Sequence, residues 1–225
     1  MAGTRGRAAG VARAERSDVD SRTRILDAAL ELMAEQGFAG TSISMICRRS
    51  GLPPSSTYWH FGSKDGLLAA TVDYGATKWL EQVPRWDQLS GEPEDRLRRM
   101  LTATARSLAD RPAFLRILIL LPLERQDMDP DSLAVIRTVR RRAAGGFRRA
   151  FREIFAADGD PDAEAFCDDV GRFALSLTDG AFVAYEIDRD RAHLDRSFDL
   201  LVTAFLALGD RYLASRTPPA RSKRV

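Results

Sequence analysis

Histidine and cysteine are scarce in this chain: of its 225 residues, two are His and two are Cys. Zinc and haem sites are built largely from these side chains, so we expect no metal site and no cofactor. The two thiols, Cys47 and Cys167, lie far apart, and a chain with a sizeable core needs no disulfide. Neither His60 nor His193 has a nucleophile pattern nearby, and no Gly-rich phosphate loop occurs. We therefore predict that the protein is not an enzyme.

Long hydrophobic runs are also missing. The longest, Ile117 to Leu123, is far shorter than the roughly 20 residues that cross a bilayer. The N-terminal MAGTRGRAAGVARAER has no apolar core of a signal peptide. These absences predict a cytoplasmic protein without membrane contact. With 44% hydrophobic and 29% charged residues, the composition is that of an ordinary globular protein.

Positive charge is unevenly distributed. The formal net charge is +2, yet residues 1–64 hold nine Lys or Arg against six Asp or Glu. Residues 1–20 alternate Arg with Ala and Gly without periodicity, and we interpret them as a disordered basic arm. The C-terminal residues 217–225 are interpreted as a disordered tail.

Apolar residues recur every three or four positions along most of the chain, and no alternating strand pattern occurs, so the predicted fold class is all-α. In the first helix Ile25, Ala29 and Leu32 share a face, and Gly37 predicts the end. Proline is tolerated in the first turn of a helix. Later helices are therefore predicted to begin near Pro93, Pro112, Pro130 and Pro161. The segment PRWDQLSGEPE before them predicts a linker.

The last two helical segments carry the clearest apolar stripes. The first stripe comprises Phe166, Val170, Phe173, Leu177, Ala181 and Ala184, and the second comprises Leu194, Phe198, Leu201, Phe205, Leu208 and Tyr212. The final helix also carries Leu200 and Val202 off its stripe. Such a helix needs two packing partners, either within its own chain or with one of them in a second subunit.

Two very short helices follow the first helix. Thr41 or Ser42 can cap the earlier one, which Gly51 ends, and Pro53 and Pro54 suit the start of the later one. Together they predict a helix-turn-helix, because Gly51 allows a sharp reversal between them.

The small side chain of Cys47 supports that motif, since it lets the two short helices cross closely. After the motif, Ser63 is predicted to cap a longer helix that runs from Lys64 toward Gln82.

Residues 22–70 resemble the DNA-binding domain of the tetracycline-repressor (TetR) family. The resemblance rests on TRILDAALELMAEQGFAGTSISMICRRSGL and above all on TYWHFGSKDGLL, which matches the family's Tyr-x-His-Phe and Ser-Lys pattern. The sequence departs from the family in two places: Cys47 replaces the usual Ala, and Pro53-Pro54 replaces a capping Ser or Thr and a polar residue. The second departure alters what the recognition helix offers to bases.

The resemblance implies a ligand-responsive transcriptional regulator, most often a repressor. Such a protein binds a palindromic DNA operator as a homodimer and is released by a small, mostly apolar inducer. It implies a helix-turn-helix DNA-binding domain over residues 21–66 and a helical bundle for ligand binding and dimerisation over residues 67–216. The last two helices, roughly residues 163–187 and 193–215, would form a four-helix interface between subunits, and the helix from Lys64 would act as a lever.

The predicted DNA-binding residues are those at the starts of the two short helices, on the second of them, and at the next helix start. They are Ser42, Ser44, Pro54, Ser55, Ser56, Tyr58, Trp59, His60 and Lys64. Hydroxyls of Ser55 and Ser56 would reach bases or phosphates, and Lys64 would hold a phosphate at a helix N-terminus. The alternatives are that Lys64 is a solvated surface lysine and that the basic arm only adds solubility.

The segment PAFLRILILLPLE is apolar on nearly all sides, so it is either buried among several helices or lines a cavity. By resemblance this region holds the inducer pocket. The candidate wall residues are Phe114, Leu118, Phe147 and Phe173, with plain core packing as the alternative. The arginines between residues 137 and 152 are interpreted as a solvated face paired with five aspartates, namely Asp158, Asp160, Asp162, Asp168 and Asp169.

Two other functions stay open at this stage. A ligand-independent regulator or nucleoid-type DNA binder would have a tightly packed body and bind most DNA alike. If the protein were a helical protein-interaction module that does not bind DNA, the position of Lys64 and the Tyr-Trp-His cluster would be coincidences.

Overall fold

The computed structural model describes the backbone of residues 3–110, 112–124, 130–155 and 159–216. Over these residues the chain forms nine α-helices and no strand, which confirms the all-α fold class. The helices are α1 (Gly3–Gly40), α2 (Ile43–Ser50), α3 (Pro54–Phe61), α4 (Lys64–Leu80), α5 (Pro93–Asp110), α6 (Pro112–Glu124), α7 (Pro130–Ile154), α8 (Pro161–Asp188) and α9 (Arg191–Arg216). None of the helices within these ranges combines the length and apolarity that a bilayer crossing requires. The predicted tail, residues 217–225, lies outside the described residues.

The predicted helix starts are confirmed, because α5, α6, α7 and α8 each begin at proline. The start of α1 differs from the expectation. Residues 3–20 continue α1 toward the N-terminus, where the sequence predicts disorder. Ala and Arg are strong helix formers, so a segment without an apolar stripe can still be helical. The predicted end is confirmed at Gly37, whose φ of 73° interrupts the helical backbone.

By its packing the chain divides into two compact units. One consists of residues 1–79 and 111–139, and the other of residues 80–110 and 140–225. The predicted domain boundary at residues 66–67 concerns function rather than packing, and it stays a prediction.

In the first unit α1 packs against α2, α3 and α6. Asp27 of α1 also binds α4. Its Oδ1 accepts hydrogen bonds from Tyr74 Oη at 2.7 Å and from Lys78 Nζ at 2.8 Å. Burial is the largest cause of the raised pKa of Tyr74. Burial opposes the charge of Lys78, but hydrogen bonds to Asp27 and Tyr74 outweigh it and raise the Lys78 pKa.

The second unit is built around aromatic rings. Phe151, which is fully buried, stacks on Phe155 at 5.5 Å and meets Phe205 at 5.1 Å between ring centroids. Phe155 in turn contacts Phe166 at 5.7 Å, and Phe166 stacks on Tyr212 at 3.8 Å. These rings bind α7, α8 and α9 together.

The predicted linker is not free of packing. Residues Trp86–Gln88 form a short 3₁₀ helix in which Trp86 is buried. Its Nε1 donates to Glu153 Oε2 at 2.6 Å, and the guanidinium of Arg96 lies 4.0 Å above its ring and also binds Glu153. An indole can take part in the core because its N–H has a partner.

The apolar stripe of α8 coincides only in part with the side that is buried within the chain. The buried residues of α8 are Ala163, Cys167, Val170, Gly171, Ala174, Thr178 and Phe182, whereas Phe173 is 52% exposed. Small residues occupy much of the buried side because α8 lies against the backbone of α7: a Cβ on Gly171 would be 3.1 Å from Ala144 O. The apolar stripe of α8 therefore coincides with its buried side at Val170 but not at Phe173.

Of the expected pairs of α7 arginines, that of Arg148 with Asp168 is confirmed. Arg148 binds Glu164 and Asp168, Arg152 binds Glu164, and Arg140 binds Asp179. The acids differ in part from those expected. Asp160 instead caps α8, and Asp169 pairs with Arg172 of its own helix.

Candidate nucleic-acid interface

Helix α2 is capped at both ends as the sequence predicts. Ser42 is the N-cap residue, and its Oγ accepts from Met45 N at 3.3 Å and lies 2.9 Å from Ser44 Oγ. Gly51 ends the helix in the left-handed region with φ 70°, and its N–H donates to Cys47 O at 2.9 Å. Because glycine adopts this conformation without steric cost, the chain can reverse there toward α3.

Helix α3 starts at Pro54, after an extended Pro53, and buries one face against α2. Thr57 is the buried residue, and its Oγ1 lies 4.0 Å from Cys47 Sγ. This contact supports the interpretation of Cys47 as the small residue at the crossing of the two short helices.

The opposite side of α3 is open. Ser55 and Pro54 are exposed, Tyr58 is 53% exposed and Trp59 is 81% exposed. We call these four residues the recognition surface. Ser56 is half-buried beside them, and Ser42 and Ser44 are exposed at the start of α2. The exposed side chains of Tyr58 and Trp59 are not part of the core of the helix-turn-helix domain, so they are available to a partner.

His60 does not belong to the recognition surface, contrary to the prediction. Its side chain is only 7% exposed, and its Nε2 lies 3.7 Å from Asp18 Oδ1 of α1. Position 60 lies on the side of α3 that turns toward α1, where Phe61 also packs next to the imidazole.

Lys64 is anchored to α1. Its Nζ donates to Phe38 O at 2.7 Å and lies 4.2 Å above the Phe38 ring. A cation suits the end of α1, since carbonyls at a helix C-terminus carry partial negative charge. An ammonium has three N–H donors, so a phosphate contact by Lys64 stays a prediction.

Two arginines near the motif make contacts that sequence patterns did not reveal. Arg49 binds Glu31 at 2.8 Å and Glu35 at 3.5 Å, and the hydrogen bond to Glu31 is the main cause of its raised pKa. Arg24 Nη2 donates to Ser50 O at 2.6 Å. No periodicity links positions 24 and 50, so only the folded chain brings them together.

Residues 25–71 match the model of the bacterial regulatory proteins of the tetR family. The helix-turn-helix with its exposed α3 is the part that matches. Residues 25–71 thus form a DNA-binding domain of the tetR type. The chain is 42% identical over 52 residues to the HTH-type transcriptional regulator UidR of Escherichia coli strain K12, a match of 23% of this chain and 26% of that relative. The match thus spans about a quarter of the length of this curated relative.

Solved structures of TetR-type regulators share the fold over most of the chain. A TetR transcription regulator from Haloarcula marismortui has a TM-score of 0.66 at 21% identity, covering 84% of this chain and 98% of that one. The transcriptional regulator FadR of Bacillus subtilis also has a TM-score of 0.66, at 14% identity, covering 82% and 97%. At these identities the likeness shows the fold alone.

The four candidate ligand residues are divided between the two units. Phe114 and Leu118 are buried in the first unit, where the Phe114 ring lies 6.4 Å from that of Trp79. Phe147 is buried in the second unit beside Phe151. The exposure of Phe173 does not fit the wall of a closed pocket. Among the described residues no group of three His, Cys, Asp or Glu side chains is placed to hold a metal.

Proposed function

We propose that this protein is a transcriptional repressor that binds a palindromic operator as a homodimer and releases it when a small ligand binds. The observation that carries the proposal is the recognition surface. Helix α3 buries Thr57 and exposes Tyr58 and Trp59 in a domain that matches the TetR family. A short exposed helix of this kind fits the major groove of B-DNA.

The chemistry of the recognition surface suits DNA. Ser55 and Tyr58 carry hydroxyls that can bind phosphate oxygens or base edges, and Trp59 offers an apolar ring to a thymine methyl group. Pro53 and Pro54 have no N–H, so the first backbone donor of α3 is that of Ser55. Ser42 and Ser44, exposed at the start of α2, would meet the adjacent backbone.

The homodimer is supported by apolar residues on the outer sides of α8 and α9. Phe173, Val183 and Ile187 of α8 and Leu200 and Leu213 of α9 are all exposed. Such residues gain about 25 cal/mol for each Å² that a partner covers. One helix-turn-helix domain makes too small an interface for tight operator binding, and a symmetric pair reads two half-sites.

The ligand is proposed to be small and mostly apolar. The support comes from the apolar α6, where Phe114 and Leu118 face the interior of the first unit. FadR of Bacillus subtilis was crystallised with stearoyl-CoA, a molecule with a long apolar chain. Ligand binding would favour dimers in which the two helix-turn-helix domains are spaced so that they no longer fit successive major grooves. Helix α4, which follows the helix-turn-helix, would transmit the change.

The proposal is tested by measuring DNA binding of Tyr58→Ala and Trp59→Ala proteins. The probe is a duplex enriched from a random pool by the wild-type protein, at one fixed salt concentration. Loss of a base contact is worth about 1–3 kcal/mol, so each variant should bind roughly 5- to 150-fold more weakly. Leu123→Ala is the matched control, because Leu123 is 76% exposed on α6, outside the helix-turn-helix.

If both α3 variants bind as tightly as the wild type while the control also does, the recognition surface is not the DNA contact. If the wild-type protein enriches no sequence at all, specific DNA binding itself is refuted.

A further inference from the structure

Two turns of α1, residues 18–24, lie just before the segment that matches the tetR family model, and they contact the chain on both sides of the recognition surface. Arg24 contacts the turn that precedes α3, whereas Asp18 and Arg22 contact its last two residues. We call these two turns the α1 brace. We propose that the α1 brace positions the recognition helix, with Arg24 as its principal positioning residue. This inference rests on the proposed function.

The contact of Arg24 fixes where α2 ends. Ser50 is the last residue of α2, and its carbonyl is one of those that no N–H within the helix can reach. Arg24 Nη2 supplies the missing donor at 2.6 Å, and its positive charge suits the C-terminal end of the helix dipole. The guanidinium also lies close to the reversing residue: a Cβ on Gly51 would be 3.0 Å from Arg24 Nη2.

The other contacts of the α1 brace hold the far end of α3. The guanidinium of Arg22 lies 5.4 Å from the centroid of the Phe61 ring, within the range of a cation–π interaction. Asp18 lies beside the nearly buried imidazole of His60. Trp59, the residue before His60, stays exposed.

Helix α3 needs such support because it is short. A helix of eight residues is not stable by itself, and α3 has a single fully buried side chain, that of Thr57. Base contacts require the donor and acceptor atoms to meet within a few tenths of an ångström, whereas phosphate contacts tolerate a wider range of positions. Loosening α3 should therefore weaken binding to a specific site more than binding to unrelated DNA.

The experiment compares Arg24→Met with Arg48→Met in the full-length protein. Both substitutions remove one positive charge from the same domain, and Arg48 is exposed on α2. Affinity is measured over a range of salt concentrations for the duplex enriched by the wild-type protein and for an unrelated duplex. For Arg24→Met we expect about tenfold weaker binding to the enriched duplex, little change for the unrelated one, and an unchanged salt slope. Arg48→Met should change both affinities by the same factor.

If Arg24→Met weakens both duplexes equally and lowers the salt slope by about one, Arg24 is a phosphate contact and the inference is wrong. Unchanged affinities would also overturn it. Arg24→Lys keeps the charge and should recover part of the specific affinity; if the Met variant does not fold, this variant decides by the same comparison. A wild-type protein that enriches no sequence would refute the proposed function instead.

Discussion

Gly209 of α9 is the position where a single methyl group should disturb the core of the second unit most. A Cβ at this residue would lie 2.6 Å from Phe155 Cζ and closer still to Cε1 and Cδ1, far inside van der Waals contact. The Phe155 ring cannot easily move away, because it is buried between Phe151 and Phe166. Gly209→Ala therefore forces α9 or the ring stack to shift.

The expected cost follows from two opposing effects. Overpacking of a well-filled core costs about 1–3 kcal/mol, and this site belongs at the upper end because an aromatic stack resists displacement. Replacing a helical Gly by Ala returns about 1 kcal/mol of helix propensity. The net loss in the free energy of unfolding is thus about 2 kcal/mol, which for a chain of this size lowers Tm by about 4–8 °C.

The assay is reversible urea or thermal unfolding followed by circular dichroism. Gly146→Ala on α7 is the control, since a Cβ there meets no atom within 4 Å and should raise stability by about 0.5–1 kcal/mol. In a Phe155→Leu background the cost of Gly209→Ala should shrink, because the smaller side chain leaves room. If Gly209→Ala is as stable as the wild type, α9 does not approach Phe155 as the structure describes.

Three further outcomes are expected. Asp27→Asn should lower the free energy of unfolding at neutral pH. The pKa values of Tyr74 and Lys78 are raised in the folded protein, so the wild type loses stability as the pH rises above about 10, and the variant should lose less. An unchanged dependence of the free energy of unfolding on pH would contradict this. Ile187→Asp should convert a dimer into monomers in analytical ultracentrifugation, whereas Leu123→Asp should not. Gly66→Ala should weaken both stability and DNA binding, because its Cβ would collide with Phe61 O at the end of α3; normal DNA binding would refute that link.

Much of the helical order could be predicted from local chemistry. Proline restricts its own φ and lacks an N–H, so Pro93, Pro112 and Pro130 could mark helix starts without reference to the rest of the chain. The caps at Ser42 and Gly51 were predictable for the same reason. Local rules failed for residues 3–20, where an absent apolar stripe was interpreted as disorder although Ala and Arg favour helix.

The features of the site that the sequence did not reveal are contacts between distant residues. His60 belongs to a familiar pattern, but only the position of Asp18 beside it reveals that its imidazole faces α1. The role of Lys64 depends on Phe38, and that of Arg24 depends on Ser50. Periodicity on α8 chose the side with Phe173, because it cannot distinguish a face that packs inside one chain from a face left for a second one.

The exposure of Trp59 also allows the protein to be followed by its intrinsic tryptophan fluorescence. Of the three tryptophans, Trp59 is 81% exposed, while Trp86 is buried against Arg96 and Glu153. The fluorescence of Trp59 therefore comes from a solvent-exposed ring that a DNA duplex bound to the recognition surface would cover. That of Trp86 comes from a buried ring, which stays buried while the second unit is folded. In a Trp79→Phe variant, quenching by a soluble agent such as acrylamide would separate the two signals, so DNA binding and unfolding could be followed in one unlabelled sample.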